Sequence, residues 1–349
     1  MSRYNSPRAS EDDIEINLPR YIYGVVGHEL NVYFDNIIDG GNLEDFRIDV
    51  VCSKGQQYAD RYTLTPNSTG DTAITINVYR GHQNRLIAKA TSIIRVAPEV
   101  DPNPKTIRAL YIGDSNTASG TYVQELHSLF ANDAGESTLE LIGTLGTAPA
   151  NHEGRGGWTA DKYLTAASYN GSTNAFWDGS GFSFAYYMAQ NAFPRPDFVI
   201  IQLGTNDAFS TPYGFTAADF VARLKVMQES IHAYDNTIKV CFSLPIPPAR
   251  TQDPFGKMNS CDMTRAAHKT AVFNFAVEMC REFDGTLPNV LVVPINLNLD
   301  TLHNFPYETV LTSSRLARSY ERISDQLHPT VEGRKQIADS HYAFLKNNQ

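Results

Sequence analysis

The sequence predicts an α/β chain: a three-layer α/β/α domain built on about five parallel strands, preceded by a small all-β sandwich. Two observations carry that prediction. Residues 19–98 hold only short alternating or apolar runs separated by turn residues, whereas residues 106–349 alternate apolar runs with stretches of helical periodicity. Between them stands Pro98-Glu-Val-Asp-Pro-Asn-Pro104, which reads as a proline-stiffened linker over 99–105.

Taken in order, residues 1–18 read as a polar tail with little to bury. Leu30–Phe34, Phe46–Cys52, Thr72–Tyr79 and Ile87–Val96 then read as strands. Gly40-Gly41, Lys54-Gly55, Pro66–Asp71 and Gly81-His-Gln-Asn84 supply the turns between them, the last as a hairpin. Beyond the linker, Ile107–Ile112, Leu139–Ile142, Phe198–Leu203, Ile238–Leu244 and Val290–Ile295 are apolar enough for strands buried on both faces. Tyr122–Asn132, Thr159–Ala167, Ala217–Tyr234, Arg265–Phe283 and the segment after Pro329 carry the helical period, so right-handed crossovers follow. Three insertions, 168–197, 245–264 and 296–324, exceed ordinary loop length, and such loops more often bind than brace. Trp158, Phe176, Trp177, Phe182, Phe184, Tyr186 and Tyr187 crowd around the first, as a core beneath a long loop or as a platform for a ligand.

Composition excludes several classes of function. With 349 residues, 42% hydrophobic and 19% charged, the chain can bury a large core. A net charge of −9 argues against nucleic-acid partners and anionic membrane surfaces. No apolar run reaches the length of a membrane span, and Met1–Asp13 has no apolar centre for a signal peptide. The compartment is therefore open, extracellular action included, since another export route or a removed signal fits equally. Cys52, Cys241, Cys261 and Cys280 show no metal-ligand spacing and read as four thiols, although the sequence leaves a Cys261–Cys280 pair open. The absence of HExxH, P-loop and GxGxxG patterns removes the common metalloprotease, nucleotide and dinucleotide readings, and no metal site is expected.

The chemistry concentrates in four segments. Arg108-Ala-Leu-Tyr-Ile-Gly-Asp-Ser-Asn116 is an apolar run ending in a turn that sets Ser115 at the carboxyl end of a strand, where open α/β sheets build their sites. Alone it reads equally well as a helix start. Asp325-Gln-Leu-His328-Pro329 puts an acid and an imidazole on one loop, so that Asp325 can hold the His328 tautomer while the other ring nitrogen faces Ser115. Phe198–Asp207 ends a second apolar run in Asn206, a neutral side-chain donor suited to an oxyanion. Glu153-Gly-Arg-Gly-Gly157-Trp-Thr159 is a loop able to present a backbone N–H ahead of a Thr159-capped helix.

Taken in chain order the four segments resemble the SGNH (GDSL-type) hydrolases over roughly residues 105–349. Asn116 stands where Leu is commonest, and Gly154, Gly156 and Gly157 compete for the second position, where Gly157 is preferred because it precedes the helix start. The resemblance implies an α/β/α hydrolase domain over 106–349 and acyl transfer without a cofactor. In it Ser115 is the nucleophile, His328 the general base and acid, and Asp325 its orienting carboxylate. The Ser115 N–H, the Gly157 N–H and the Asn206 side chain would form the oxyanion hole. The fused β domain (19–98), given no catalytic residue, and the Glu-Gly-Arg-Gly-Gly-Trp-Thr loop look like the carbohydrate-esterase side of the family. The implied substrate is a short acyl ester, acetyl, on a glycan. A lipid or small-molecule esterase or thioesterase is the alternative within the family, and a non-catalytic glycan-binding protein the alternative outside it.

Overall fold

The computed structural model describes residues 14–80, 84–132 and 137–349. The hydrolase half is a parallel sheet between two helical layers, as the alternation of apolar runs predicts. The five expected strands appear at Thr106–Gly113, Thr138–Ile142, Phe198–Gln202, Lys239–Ser243 and Val290–Val293. A sixth parallel strand, Ala150–Gly154, and an antiparallel edge strand, Leu145–Thr147, complete the sheet. Thr106–Gly113 is central. Phe198–Gln202, Lys239–Ser243 and Val290–Val293 follow on one flank, while Thr138–Ile142 and then Ala150–Gly154 share the other. The chain thus leaves its first strand to one side and later crosses to the other, which opens a crevice at the carboxyl end of Thr106–Gly113.

Side chains alternate across the sheet with the two-residue period of a strand. Leu110, Ile112, Val199, Ile201, Val240 and Phe242 face the core under helices Ala160–Thr165, Phe184–Asn191, Ala217–Tyr234 and Arg265–Phe283. Ala109, Tyr111, Phe198, Ile200 and Cys241 face the opposite core, under helices Thr121–Ala131 and Val331–Asn348. Capping fixes several helix starts: Thr216 and Asp219 form a reciprocal capping box, and Thr264 and Thr330 accept from the third residue of their helices. The aromatic cluster resolves mostly as core, with Trp158, Phe176, Phe184 and Tyr187 fully buried and Tyr186 exposed.

Ahead of this domain, two small sheets share one core. Tyr21–Val25, Arg85–Ala97, Gly70–Arg80 and Phe46–Cys52 form a four-stranded sheet, and Leu30–Tyr33, Arg61–Leu64 and Gln56–Gln57 a three-stranded one. Ile22, Val32, Leu64, Ile76 and Ile94 meet between them. Gly81-His-Gln83 of the expected hairpin turn lies outside the described residues, but the flanking strands pair antiparallel. Residues 1–13 of the expected tail also lie outside them, whereas Glu15–Ile16 pairs with Ile38–Asp39. All four cysteines are free thiols.

The two units interpenetrate. Leu297 sits in the sandwich core, while Tyr23, Val25 and Ala97 sit in the hydrolase core. Asp35, almost fully buried, faces Arg250 at 3.4 Å, Lys269 at 3.2 Å and the Arg265 guanidinium. Burial opposes its charge, yet the three cations together hold its carboxyl below the usual range. Arg265 also donates to the Ala249 carbonyl, and the Ala249 N–H donates to Gln326 O, so the sandwich braces the loop that carries Asp325 and His328. Among the described residues, no helix is long and apolar enough to cross a membrane.

Candidate active site

Ser115 opens a one-turn helix, Ser115–Ala118, directly after the central strand. Asp114 caps it, its carboxylate accepting the Asn116 N–H at 2.9 Å. Gly113 is required by close approach: a Cβ there would lie 2.0 Å from Thr117 Oγ1 and 2.9 Å from Gln202 O. Being first in the helix, the Ser115 N–H has no intrahelical acceptor.

Ser115 Oγ lies 2.9 Å from His328 Nε2. On the far side of the ring, His328 Nδ1 lies 3.1 and 3.2 Å from the two Asp325 carboxylate oxygens. The same carboxylate accepts the Leu327 and His328 backbone N–H groups at 2.9 Å each, so the acid is aimed by its own loop. Burial raises the Asp325 pKa, but these donors outweigh it and bring the group down to about 2. The hydrogen bond that His328 Nδ1 donates to Asp325 raises the imidazole above its ordinary 6.5, against partial burial. Asn116, in place of the commoner Leu, is fully buried and turns its amide toward Leu327 O at 3.5 Å.

The other two predicted positions converge from the neighbouring strand ends. The Glu153–Thr159 loop is tied to the central strand by the Arg155 N–H donating to Gly113 O at 2.9 Å. Gly157 adopts φ +77°, a conformation that favours glycine, and a Cβ there would also press on Asn170. Gly154 and Gly156, its rivals, lie within the strand and at an open position respectively. Asn206 donates one amide hydrogen to Trp158 O at 3.0 Å, leaving the second for a ligand. Gly157 and Asn206 line one groove of about 550 Å³ with Thr159, Asp161, Tyr169 and Arg223.

Three supports escaped the sequence reading. Asp207, fully buried, accepts the Ala160 N–H at 3.0 Å and the Gly204 N–H at 3.2 Å, locking the Gly157 loop to the Asn206 turn. Desolvation pushes its pKa up to about 7. Its place beside Asn206, in a turn that must be rigid, was the available signal. Glu153 and Arg155 form a buried ion pair at 2.7 Å, and Glu153 further accepts the Tyr187 hydroxyl at 3.0 Å. Tyr163 sets its hydroxyl within 2.8 Å of Gly113 O and 2.6 Å of Glu153 O. Only the unusual density of charge in an apolar neighbourhood hinted at either.

No curated protein matches the chain. Among solved structures, a carbohydrate esterase family 3 protein from Talaromyces cellulolyticus is 18% identical, with TM-score 0.37, over 68% of this chain and 96% of that one. Est24, a carbohydrate acetylesterase from Sinorhizobium meliloti, is 14% identical, with TM-score 0.39, over 68% and 98%. An aryl esterase from M. smegmatis is 15% identical, with TM-score 0.40, over 68% and 98%. The GDSL-like lipase/acylhydrolase family matches residues 110–340, about two thirds of the sequence, a range that holds Ser115, Gly157, Asn206, Asp325 and His328. The chain belongs to that family and is a carboxylic ester hydrolase with an added N-terminal β unit.

Proposed function

We propose that this hydrolase is a serine esterase that removes short acyl groups, acetyl above all, from a carbohydrate. The observation that carries the serine mechanism is the unbroken chain of contacts from Ser115 Oγ through His328 to Asp325. His328 Nε2 takes the Ser115 proton as Oγ attacks the ester carbonyl, and Asp325 stabilises the imidazolium that forms. The Ser115 N–H, the Gly157 N–H and the second Asn206 amide hydrogen receive the developing oxyanion. His328 then returns the proton to the departing alkoxide, which leaves an acyl-serine. A water, deprotonated by the same imidazole, attacks the acyl carbon, releases the carboxylate and restores Ser115.

The carbohydrate part rests on the groove beside Gly157 and Asn206. Thr159, Asp161, Lys162, Ser210 and Arg223, beside the rings of Tyr169 and Phe215, give it a mostly hydrogen-bonding lining suited to a sugar's hydroxyl groups. The test combines p-nitrophenyl esters of rising length with acetate release from acetylated polysaccharides. An added methylene gains about 0.8 kcal/mol only where an apolar channel receives it, and an acyl pocket sized for acetyl excludes longer chains sterically, so activity should fall steeply beyond butyrate. Ser115→Ala should lower kcat by several orders of magnitude in a folded protein. Preference for octanoate or longer esters, with no acetate released from any glycan, would overturn the substrate reading. An active, contaminant-free Ser115→Ala enzyme would overturn the mechanism.

A further inference from the structure

We infer that the hairpin Ser168–Thr173 holds Tyr169 as a stacking platform for a sugar ring of the substrate, beside the bond that is cut. The inference rests on the carbohydrate reading above and adds to it a place for the sugar. Ser168–Tyr169 pairs antiparallel with Ser172–Thr173 around Asn170-Gly171, whose φ values of +48° and +76° suit the tight turn that Asn-Gly favours. A hairpin with two residues per strand has no core of its own and is unstable in isolation. Here it is held from outside, and by the loop that carries Gly157. Arg155 Nε donates to Thr173 O at 2.6 Å, Trp158 Nε1 to Tyr169 O at 3.1 Å, and Asn170 Nδ2 to Gly156 O at 3.0 Å.

These anchors fix Tyr169 relative to Gly157, and both residues line the groove of about 550 Å³ that also reaches Asn206. An acetyl group fills little of such a space, whose volume lies in the range of small-molecule sites. Tyr169 is 43% exposed and rests edge-on against Trp158, with their centroids 6.3 Å apart. Thr159, Asp161, Ser210, Phe215 and Arg223 line the same groove, and Lys162 Nζ sits over the ring, 5.1 Å from its centroid, so an aromatic ring is set among mostly hydrogen-bonding groups. That combination matches a pyranose, which offers an apolar C–H face and a polar rim. The buried aromatics of the same insertion, Phe176, Phe184 and Tyr187, cannot serve because the core encloses them.

The experiment compares Tyr169→Ala, Tyr169→Phe and Tyr169→Trp with wild type on two substrates. One is p-nitrophenyl acetate. The other is whichever of acetylated xylan, glucomannan and pectin the wild-type enzyme deacetylates fastest. We expect Tyr169→Ala to lower kcat/KM on the polysaccharide at least tenfold more than on p-nitrophenyl acetate, chiefly through KM. Phe and Trp should stay within about threefold of wild type. Tyr186→Ala, an exposed tyrosine on the helix Phe184–Asn191, serves as the control and should alter neither activity. An equal loss on both substrates would make Tyr169 a mere support of the Gly157 loop, and no loss on either would remove it from the site. Both outcomes overturn the inference and leave the carbohydrate reading intact. If wild type frees acetate from no glycan, the carbohydrate reading falls first and takes this subsite with it.

Discussion

Replacing Asn206 separates an observed interaction of its amide from a proposed one. Its first hydrogen is donated to Trp158 O at 3.0 Å in the resting protein, and its second is available to the transition state. Asn206→Ala removes both. Loss of one neutral hydrogen bond costs about 1 kcal/mol of stability, or about 2 °C in Tm for a chain of this size. Loss of an oxyanion donor costs about 3 kcal/mol of transition-state stabilisation, which is about 150-fold in kcat. Steady-state kinetics on p-nitrophenyl acetate, with thermal unfolding of the same samples, reads the two quantities independently. Asn206→Asp sharpens the test: it keeps the shape but offers no donor, so its kcat should fall at least as far. A rise in KM at unchanged kcat would make Asn206 a ground-state binding residue and refute the assignment.

Two further outcomes follow from the electrostatics. The base must be neutral to accept the Ser115 proton, and Asp325 raises the His328 pKa, so the acid limb of kcat/KM should lie above 6.5. In Asp325→Asn the limb should move to lower pH while kcat falls, and an unmoved limb would show that another group sets it. Asp35→Ala strands the facing charges of Arg250, Arg265 and Lys269; because the two arginines keep some solvent, the cost should be near the lower end of such cases, about 3 kcal/mol. Urea unfolding with a loss below 1 kcal/mol would show that the sandwich is not clamped through this cluster.

Legibility in the sequence followed the apolar period. Phe198–Gln202 and Lys239–Ser243 are buried strands whose side chains are apolar on both faces, and they stood out for that reason. Ala150–Gly154 escaped notice because His152 and Glu153 are buried as polar groups, with the buried Arg155 next in the chain giving Glu153 an ion pair instead of an apolar pattern. The hairpin Tyr307–Ser313 with Leu316–Ile323 is exposed on most of its residues and buries fully only Ile323, so no apolar period marks it. The contacts of Ser115, His328 and Asp325, and the place of Asn206 at a strand end, could be anticipated because each ends a strong element or sits in a short motif. Asp207 and Arg155 were not, since their work is to hold neighbouring loops, and that depends on contacts across the fold. Asn170-Gly171 was a readable turn, but flanking strands of two residues carry too little pattern to announce a hairpin.

The mutual insertion of the two units has a consequence for synthesis on the ribosome. The backbone N–H of Asn31 is satisfied by the side chain of Asn298, 267 positions later, and Tyr33 donates to Leu297 O. A sandwich emerging first therefore lacks Leu297 for its core until nearly the whole hydrolase half has been made. Contacts so distant in sequence close late and slowly, and until then the nascent sandwich exposes an incomplete apolar face. The last helix sets the final step, because Asn347 donates to Gly24 O and Lys346 to Glu99 O. A chain stalled or truncated before residue 347 would thus leave the sandwich side unfinished, and expression yield should depend on Lys346 and Asn347 far more than their distance from Ser115 suggests.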